Sequence, residues 1–408
     1  MADKTDDVDM ASNEVGDGAD SFIDPGTDSI ADGVADSDGS GTEVYARSAG
    51  SRIKDSLAGL IIGPLIFLAS FVLLFWNEGN QIQTLQALAE GKKLTVSVPA
   101  SPVERESEGR LVHVTGDLQS AVAVSDPTFG ISVQGAIRLR RSVEMFQWSE
   151  TKNDKTVEYS KKWSNTPINS SSFESQYGHT NPGMSVRGQT FNSSLVKLGD
   201  FRVDKAILDD IGFFEDLSLA NQPVPKASYR RAGNYFFRGA NPAQPQVGDI
   251  RVSFDVVNAQ PVTVVAQQVN GVLAAYLSTN GTNLEMIRPG FLSIDAIYTD
   301  AHNDAVMLAW VLRLVGFILM LIGPMLFLKP ISTFLSFIPW VGDFAAGIVG
   351  AGAFVMSLLI ALPLTLITIA IAWLFFRPVI GISLLVAALV SGFGISRWRR
   401  AKVAGSAK

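Results

Sequence analysis

The sequence predicts a membrane α-helical protein with a large β-rich (α+β) extramembrane domain. It predicts four transmembrane helices, one before that domain and three after it. Three observations lead there. Long uncharged apolar runs lie near residue 60 and beyond residue 305. Between them, period-2 alternation of apolar and polar residues dominates. Charged residues make up only 18% of the 408 and mean hydropathy is positive, against roughly 25% charged in soluble domains.

Residues 1–44 hold thirteen acidic residues and one base, Lys4, a net charge of −12; the whole chain carries −6, so the remainder carries +6. Their only large apolar residues of note are Phe22, Ile23 and Ile30. Burial cannot offset the ordering entropy of such a segment, so residues 1–50 are expected to be a disordered acidic tail. Residues 57–76 are twenty uncharged, mostly apolar positions, enough to cross a hydrocarbon core of about 30 Å. Arg47, Arg52 and Lys54 precede this first span, and the positive-inside rule assigns them to the cytoplasm. Residues 78–304 are then expected on the far side as one extramembrane domain.

Within 78–304, Gln81–Lys93 continues the first helix, with Ile82, Leu85 and Leu88 on one face. Strand patterns follow at Leu111–Val114, Ala121–Val124, Ile137–Trp148, Thr156–Trp163, Ile250–Val257, Val262–Val269 and Val272–Leu277. Helical spacing of Ile207, Leu208, Ile211 and Phe214 predicts one helix over Lys205–Asp216. Further spans are expected at 306–328, 345–368 and 375–396. Residues 331–343 are expected to lie along the membrane interface. A basic tail, 397–408, is expected in the cytoplasm with the N-terminus.

Several blocks of residues resemble the transmembrane protein 43 family, also called LUMA. They include Phe75-Trp76-Asn77-Glu78-Gly79, Glu108-Gly109-Arg110-Leu111-Val112-His113 and Leu139-Arg140-Arg141-Ser142-Val143-Glu144-Met145-Phe146-Gln147-Trp148. They continue with Gly178-His179-Thr180-Asn181-Pro182, Val247-Gly248-Asp249-Ile250-Arg251-Val252-Ser253-Phe254 and Trp373-Leu374-Phe375-Phe376-Arg377-Pro378. The blocks run in order over roughly 57–396. The resemblance implies four spans with a large domain between the first two. It implies an oligomeric organiser that binds other membrane proteins, and it supplies no catalytic residue set. Animal members reside in the endoplasmic reticulum and inner nuclear membrane. The Asp-rich tail and Ala/Gly-rich spans resemble a bacterial relative, which would place this chain in the cytoplasmic membrane.

The absence of cysteine excludes a disulfide framework, Cys-ligated zinc or iron–sulfur, and a thiol nucleophile. His113, His179 and His302 are isolated and lack the H-x-x-x-H spacing of a metal site. No G-x-S-x-G, P-loop or G-x-G-x-x-G is present. The expectation is therefore a non-enzymatic protein without cofactor, metal or nucleic-acid partner. It is read as a multi-pass scaffold binding partner proteins or lipids through its β domain, with a lipid-handling or channel-type protein as the alternative.

Candidate contact residues are Arg140, Arg141, Glu144, Trp148 and His179. On a strand Arg140 and Arg141 point to opposite faces, so at most one meets a core, where Glu144 or Asp126 would be its partner. The other reading gives their guanidinium forks to a lipid head group or a partner carboxylate. Gly59 and Gly63 share one helix face and allow close backbone approach, either to the chain's own later spans or across a homo-oligomer seam. Arg313, the one charge inside its span, either snorkels to the interface or pairs with Glu78.

Overall fold

The computed structural model describes residues 41–225, 228–338, 342–383, 386 and 390. Three helices are long and apolar enough to cross a membrane. The first, α1 (Ala49–Leu94), begins at Ser48, whose Oγ accepts from the Ser51 amide, and ends with Lys92 and Lys93 in its last turn. That charge placement complements the helix dipole. The apolar stretch 57–76 is thus the middle of a 46-residue helix, and Gln81–Lys93 continues it as expected. Three pairs of neighbours show that this helix runs antiparallel to a second one, Ile294–Leu335: Gly63 beside Gly323, Asn77 beside Ala309 and Thr95 beside Tyr298. We call the end at residues 47–56 and 326–337 the foot of this hairpin and the end at 85–95 and 292–301 its head.

Ile294–Leu335 runs ten residues further back than the expected boundary at 304 and passes through Lys329-Pro330. Of the expected interfacial segment 331–343, residues 331–335 form the last turn of that helix, Gly342 opens the next, and 339–341 lie outside the described residues. Pro330 has no N–H to offer Leu326, one turn earlier. The freed carbonyl faces Gly59, where an added Cβ would lie 2.6 Å from Leu326 O. The next long helix, Gly342–Phe376, is 35 residues, longer than the expected 345–368. It stops before Arg377-Pro378, after which the chain folds back so that Gly381 packs on Leu374. Most of the expected fourth span, 384–396, and the basic tail 397–408 lie outside the described residues, as do residues 1–40.

The β region holds nineteen strands among the described residues, numbered β1–β19 along the chain. They start with β1 (Glu43–Ala46), β2 (Val96–Ser97), β3 (Leu111–Ser120), β4 (Val124–Asp126), β5 (Ile131–Val133), β6 (Arg138–Lys152) and β7 (Thr156–Ser164). Next come β8 (Gln189–Asn192), β9 (Val196–Leu198), β10 (Phe201–Val203), the short helix α2 (Lys205–Asp209), β11 (Glu215–Asp216), β12 (Arg230–Ala232) and β13 (Tyr235–Arg238). The last are β14 (Ile250–Val257), β15 (Gln260–Val269), β16 (Val272–Ala274), β17 (Tyr276–Leu277), β18 (Asn283–Leu284) and β19 (Met286–Pro289), before α3 (Ile294–Leu335) and α4 (Gly342–Phe376). Two expectations change here. Asp210 caps α2 and Gly212 follows, so that helix is five residues rather than twelve. Ala121–Ala123 is a turn, because the Ser120 hydroxyl captures the Val122 amide and carbonyl.

Two sheets organise the region. In the seven-stranded sheet, the β15–β3 pairing closes β3, β15, β16, β10 and β9 into a ring. Its filling includes Val112, Val114, Leu118, Phe201, Val264 and Leu273, all buried. Gly199, at φ +61°, turns β9 into β10 against Ala100, where a Cβ would lie 2.2 Å from a backbone oxygen. The eight-stranded sheet has the path β1-β7-β6-β14-β13-β12. Its core gathers Leu139, Val143, Met145, Phe236, Val252 and Phe254. Buried Arg138 joins the sheets, donating to Asn192 Oδ1 and to the carbonyls of Asp209 and Ile211.

The ring packs on the head of the hairpin through Leu88, Leu111, Leu284, Ile297 and Tyr298. The eight-stranded sheet reaches the foot. There β1, which precedes the apolar stretch, pairs antiparallel with β7, which follows it: Val44 lies opposite Glu158 and Tyr45 opposite Val157. Arg47 and Gly91 are 44 residues apart, about 65 Å along an α-helix. The β region therefore touches the hairpin at both ends. Residues 43–46 of the expected disordered tail 1–50 thus form a strand, and Ala49 opens α1, while residues 1–40 lie outside the described residues.

Candidate functional site at the two ends of the hairpin

Near the head, three helices converge on one carboxylate. Glu78 is fully buried, and Arg313 meets it with both arms, Nε to Oε1 at 2.6 Å and Nη2 to Oε2 at 2.8 Å. The same Oε2 accepts from the Trp373 indole N–H at 2.8 Å, and Arg313 also donates to Gln81 Oε1 at 2.9 Å. Asn77 Nδ2 donates to the Ala309 carbonyl at 3.1 Å. The Arg313 plane lies over Trp310. The structure thus brings Arg313 and Glu78 together, and adds α4 through Trp373, which sequence spacing did not indicate. A two-armed charge pair in a buried place is strong because no water competes for its hydrogen bonds.

Gly59 and Gly63 also face the chain itself. A Cβ on Gly63 would lie 2.6 Å from Gly323 O and 2.9 Å from Phe327 N, both backbone atoms of α3. The face that a homo-oligomer seam would need is already occupied. Gly63→Leu is therefore expected to destabilise the monomer, by about 1–3 kcal/mol for overpacking of this kind, visible as a lower detergent melting temperature. Unchanged melting with a smaller particle would instead point to an intermolecular contact.

At the foot, the β1–β7 pairing carries an aromatic box. His179 stacks on Tyr159, with centroids 3.8 Å apart and planes 11° from parallel, and meets Trp148 edge-on at 4.7 Å. Its Nε2 faces Glu43 Oε2 at 3.0 Å and its Nδ1 the Ser175 carbonyl at 3.2 Å. Asn181 holds the strand beside it, exchanging bonds with the Trp148 amide and carbonyl. Arg47, almost fully buried, pairs with Asp55 and with Glu174. Lys329, at the foot of α3, meets Asp154 in the β6–β7 turn at 3.0 Å.

Burial by itself would raise the Glu43 pKa. Hydrogen bonds from Tyr45 and His179, with the positive charges of His179 and Lys161, outweigh it and hold the carboxyl below the usual range. A depressed folded pKa stabilises docking above the unfolded value and loses that contribution as pH falls through the folded value. The protection of β1 amides, taken relative to the intrinsic exchange rate at each pH, is therefore expected to fall as pH drops below about 4.3, the ordinary glutamate value. A half-exposed pair is worth at most about 1 kcal/mol, so the change should be several-fold without loss of the fold. Glu43→Gln should flatten this dependence; an unchanged pH profile would remove Glu43 as its source.

The remaining candidate contact residues are engaged internally. Arg141 is buried and donates to Asp126 Oδ2 at 2.5 Å and to the Arg187 carbonyl at 3.0 Å. Arg140, on the opposite face and exposed, pairs with Asp255 at 2.8 Å over the Phe214 ring. Glu144 accepts from Arg251 at 2.6 Å. Trp148 is buried beneath Lys161, whose Nζ sits 4.3 Å from the ring centroid. Arg141, Trp148 and His179 thus serve the interior, and of the five only Arg140 presents an exposed head. His113 bonds Ser97 and the Leu292 carbonyl, tying the ring to the head of α3. Among the described residues, no group of three or more His, Asp or Glu is placed to hold a metal ion.

Two of the blocks carrying the family resemblance, Phe75–Gly79 and Trp373–Pro378, meet at the Glu78 pair. A family model described as transmembrane protein 43 matches residues 142–378. Transmembrane protein 43 of Mus musculus is 34% identical over 351 residues, covering 80% of this chain and 86% of that protein. The Homo sapiens protein of that name is 33% identical over the same length. The Drosophila melanogaster transmembrane protein 43 homolog is 27% identical over 350 residues, 80% of this chain and 91% of its own. No solved structure matches. With three apolar helices, a large β region and this extent of likeness, the chain is an integral membrane protein that belongs to the transmembrane protein 43 family.

Proposed function

We propose that the protein is a non-enzymatic scaffold that organises membrane protein complexes, binding partner proteins or lipids through its β region. The observation that carries this reading is the double attachment of that region. It is fastened to one helix hairpin at points about 65 Å apart, and the polar side chains at both points bond one another. Such a body presents a fixed surface to partners. Its outward helix faces are apolar, and among the described residues nothing packs on Gly352 of α4. That open position suits a second copy or another membrane protein, because small residues let helices approach. The foot, with Arg47, Arg52, Lys54 and Lys329, is proposed to face the cytoplasm.

Chemical cross-linking in intact membranes, followed by purification in mild detergent, tests this. The expected result is a stoichiometric protein partner, or a homo-oligomer, cross-linked to the β region or to α4. A chain that is monomeric and unlinked in native membranes would sink the scaffold reading. A lipid-handling protein is the second reading. It is favoured by a cavity of about 550 Å³ between α1 and α4, walled by Phe71, Val72, Phe75, Trp76, Ile371 and Phe376. Lipid mass spectrometry of the purified chain would favour it over the scaffold if one lipid co-purified in stoichiometric amount.

A further inference from the structure

A second cavity, of about 280 Å³, opens at the foot of the hairpin between α1, α3, α4 and the β6–β7 turn. Among the described residues, four cations line it, Arg47, Arg52, Lys155 and Lys329, against one acid, Asp154. Arg47 is neutralised from behind by Asp55 and Glu174, and Lys329 is matched by Asp154. Arg52 differs. Its Nη2 donates to the Ser336 hydroxyl at 2.6 Å and its guanidinium lies over Phe337, but its buried Nε has no partner among the described residues. No carboxylate pairs with it among the described residues. A buried guanidinium donor without a partner is costly, and a turn of the side chain toward the cavity would bring it a ligand.

The neighbouring hydroxyls do not compete for that role. Ser332, Thr333 and Ser336 each donate to a carbonyl of α3 itself. The opposite wall is α4 at Ala346, Gly347, Gly350 and Ala351, small residues that leave the space empty of side chains. The cavity also sits at a defined height. Arg52 lies five residues before the apolar stretch opening at Leu57, and Lys329 directly follows the one closing at Leu328, which is the head-group level of a bilayer. We propose that this cavity binds the phosphate of an anionic head group, with Arg52 as the principal donor and Lys329 as a supporting charge.

The chemistry favours phosphate. A guanidinium fork matches phosphate oxygens with two parallel donors, and an ammonium adds a point charge. Basic pockets between helices at a cytoplasmic face take anionic lipid head groups. At ~30 Å³ per water the cavity has room for about nine waters, enough for a phosphate and a glycerol unit. The same chemistry would accept a free phosphate ion, so the test must separate the two sources. The proposal is independent of the scaffold reading, since it concerns the foot of the helices and not the surface of the β region.

The test uses the full chain in mild detergent, with native mass spectrometry and thermal melting as readouts. The probes are phosphatidylglycerol, phosphatidylcholine and inorganic phosphate. The expected result is retention of phosphatidylglycerol at least tenfold over phosphatidylcholine. Arg52→Gln should cut that retention about tenfold, Arg52→Lys should restore part of it, and Lys93→Gln at the far end of α1 should change nothing. If Arg52→Gln fails to fold by circular dichroism, the comparison passes to Arg52→Lys, which must still lose retention several-fold. Inorganic phosphate raising the melting temperature of the unaltered chain, but not of Arg52→Gln, would uphold the site with a soluble anion as its ligand. Equal retention of both lipids with no phosphate effect, or equal binding by the unaltered chain and Arg52→Gln, would overturn it.

Discussion

Replacing Glu78 by alanine is expected to destabilise the full chain by about 3–5 kcal/mol, the usual cost of leaving a buried charge without its partner. Three groups lose their acceptor at once: both arms of Arg313 and the Trp373 N–H. The loss therefore reaches α4 as well as the α1–α3 contact. Glu78→Gln keeps the shape and one acceptor but leaves the guanidinium uncompensated, so it should fall between alanine and the natural residue. Glu78→Leu/Arg313→Leu removes both charges, and such double replacements of buried pairs are close to neutral or stabilising elsewhere. The double variant should accordingly recover most of the stability lost by Glu78→Ala. Detergent unfolding followed by tryptophan fluorescence reads all three. A loss in the double variant equal to the sum of those of Glu78→Leu and Arg313→Leu measured singly would show that the two side chains act separately and that the pair is not the source of the stability.

The sequence left two readings of Arg313, snorkelling to the interface or pairing with Glu78, and the burial of Glu78 against both guanidinium arms separates them. Arg313 stands alone in its span, and Glu78 is the acid just past the end of the first. What sequence spacing could not supply was Trp373, whose N–H reaches the same carboxylate from a helix nearly 300 residues further along the chain. The β region was legible in the same partial way. Alternation marked β7 and β14 almost residue for residue, because each has one face against a core. It did not indicate that β3, β15, β16, β10 and β9 form a ring. It also overextended α2, since Ile211 and Phe214 keep helical spacing while Gly212 between them breaks the helix. Arg141 shows the limit for sites. Its residue type and spacing fit a lipid contact as well as a core ion pair, and only the position of Asp126 beneath it separates the two.

The least legible feature was β1, and it carries the other large prediction. Four residues, Glu-Val-Tyr-Ala, sit between an acidic tail and a basic flank with no alternation long enough to register. Their partner is β7, more than a hundred residues away. The chain contains no cysteine, so a pair of introduced cysteines reports on this contact alone. Val44 and Glu158 are direct neighbours across an antiparallel ladder. Such neighbours have Cα atoms roughly 4.5 or 5.5 Å apart, inside the range that a disulfide spans. Val44→Cys/Glu158→Cys is therefore expected to cross-link to near completion under mild oxidation in intact membranes, before any detergent is added. Val44→Cys/Glu215→Cys, which places the second cysteine on a strand that pairs with β14 instead, should not. If the membrane separated residue 44 from residue 158, the first pair would stay reduced until solubilisation. The result is close to all-or-none because no bilayer-sized gap can be bridged by a disulfide. A cross-link in the intact membrane would mean that the eight-stranded sheet shares a compartment with the start of α1. The ring would still be held at the other end of the same helix, so the β region would have to pass beside the apolar middle of the hairpin, where Ile61, Leu65, Leu68 and Val72 remain exposed on the helix surface.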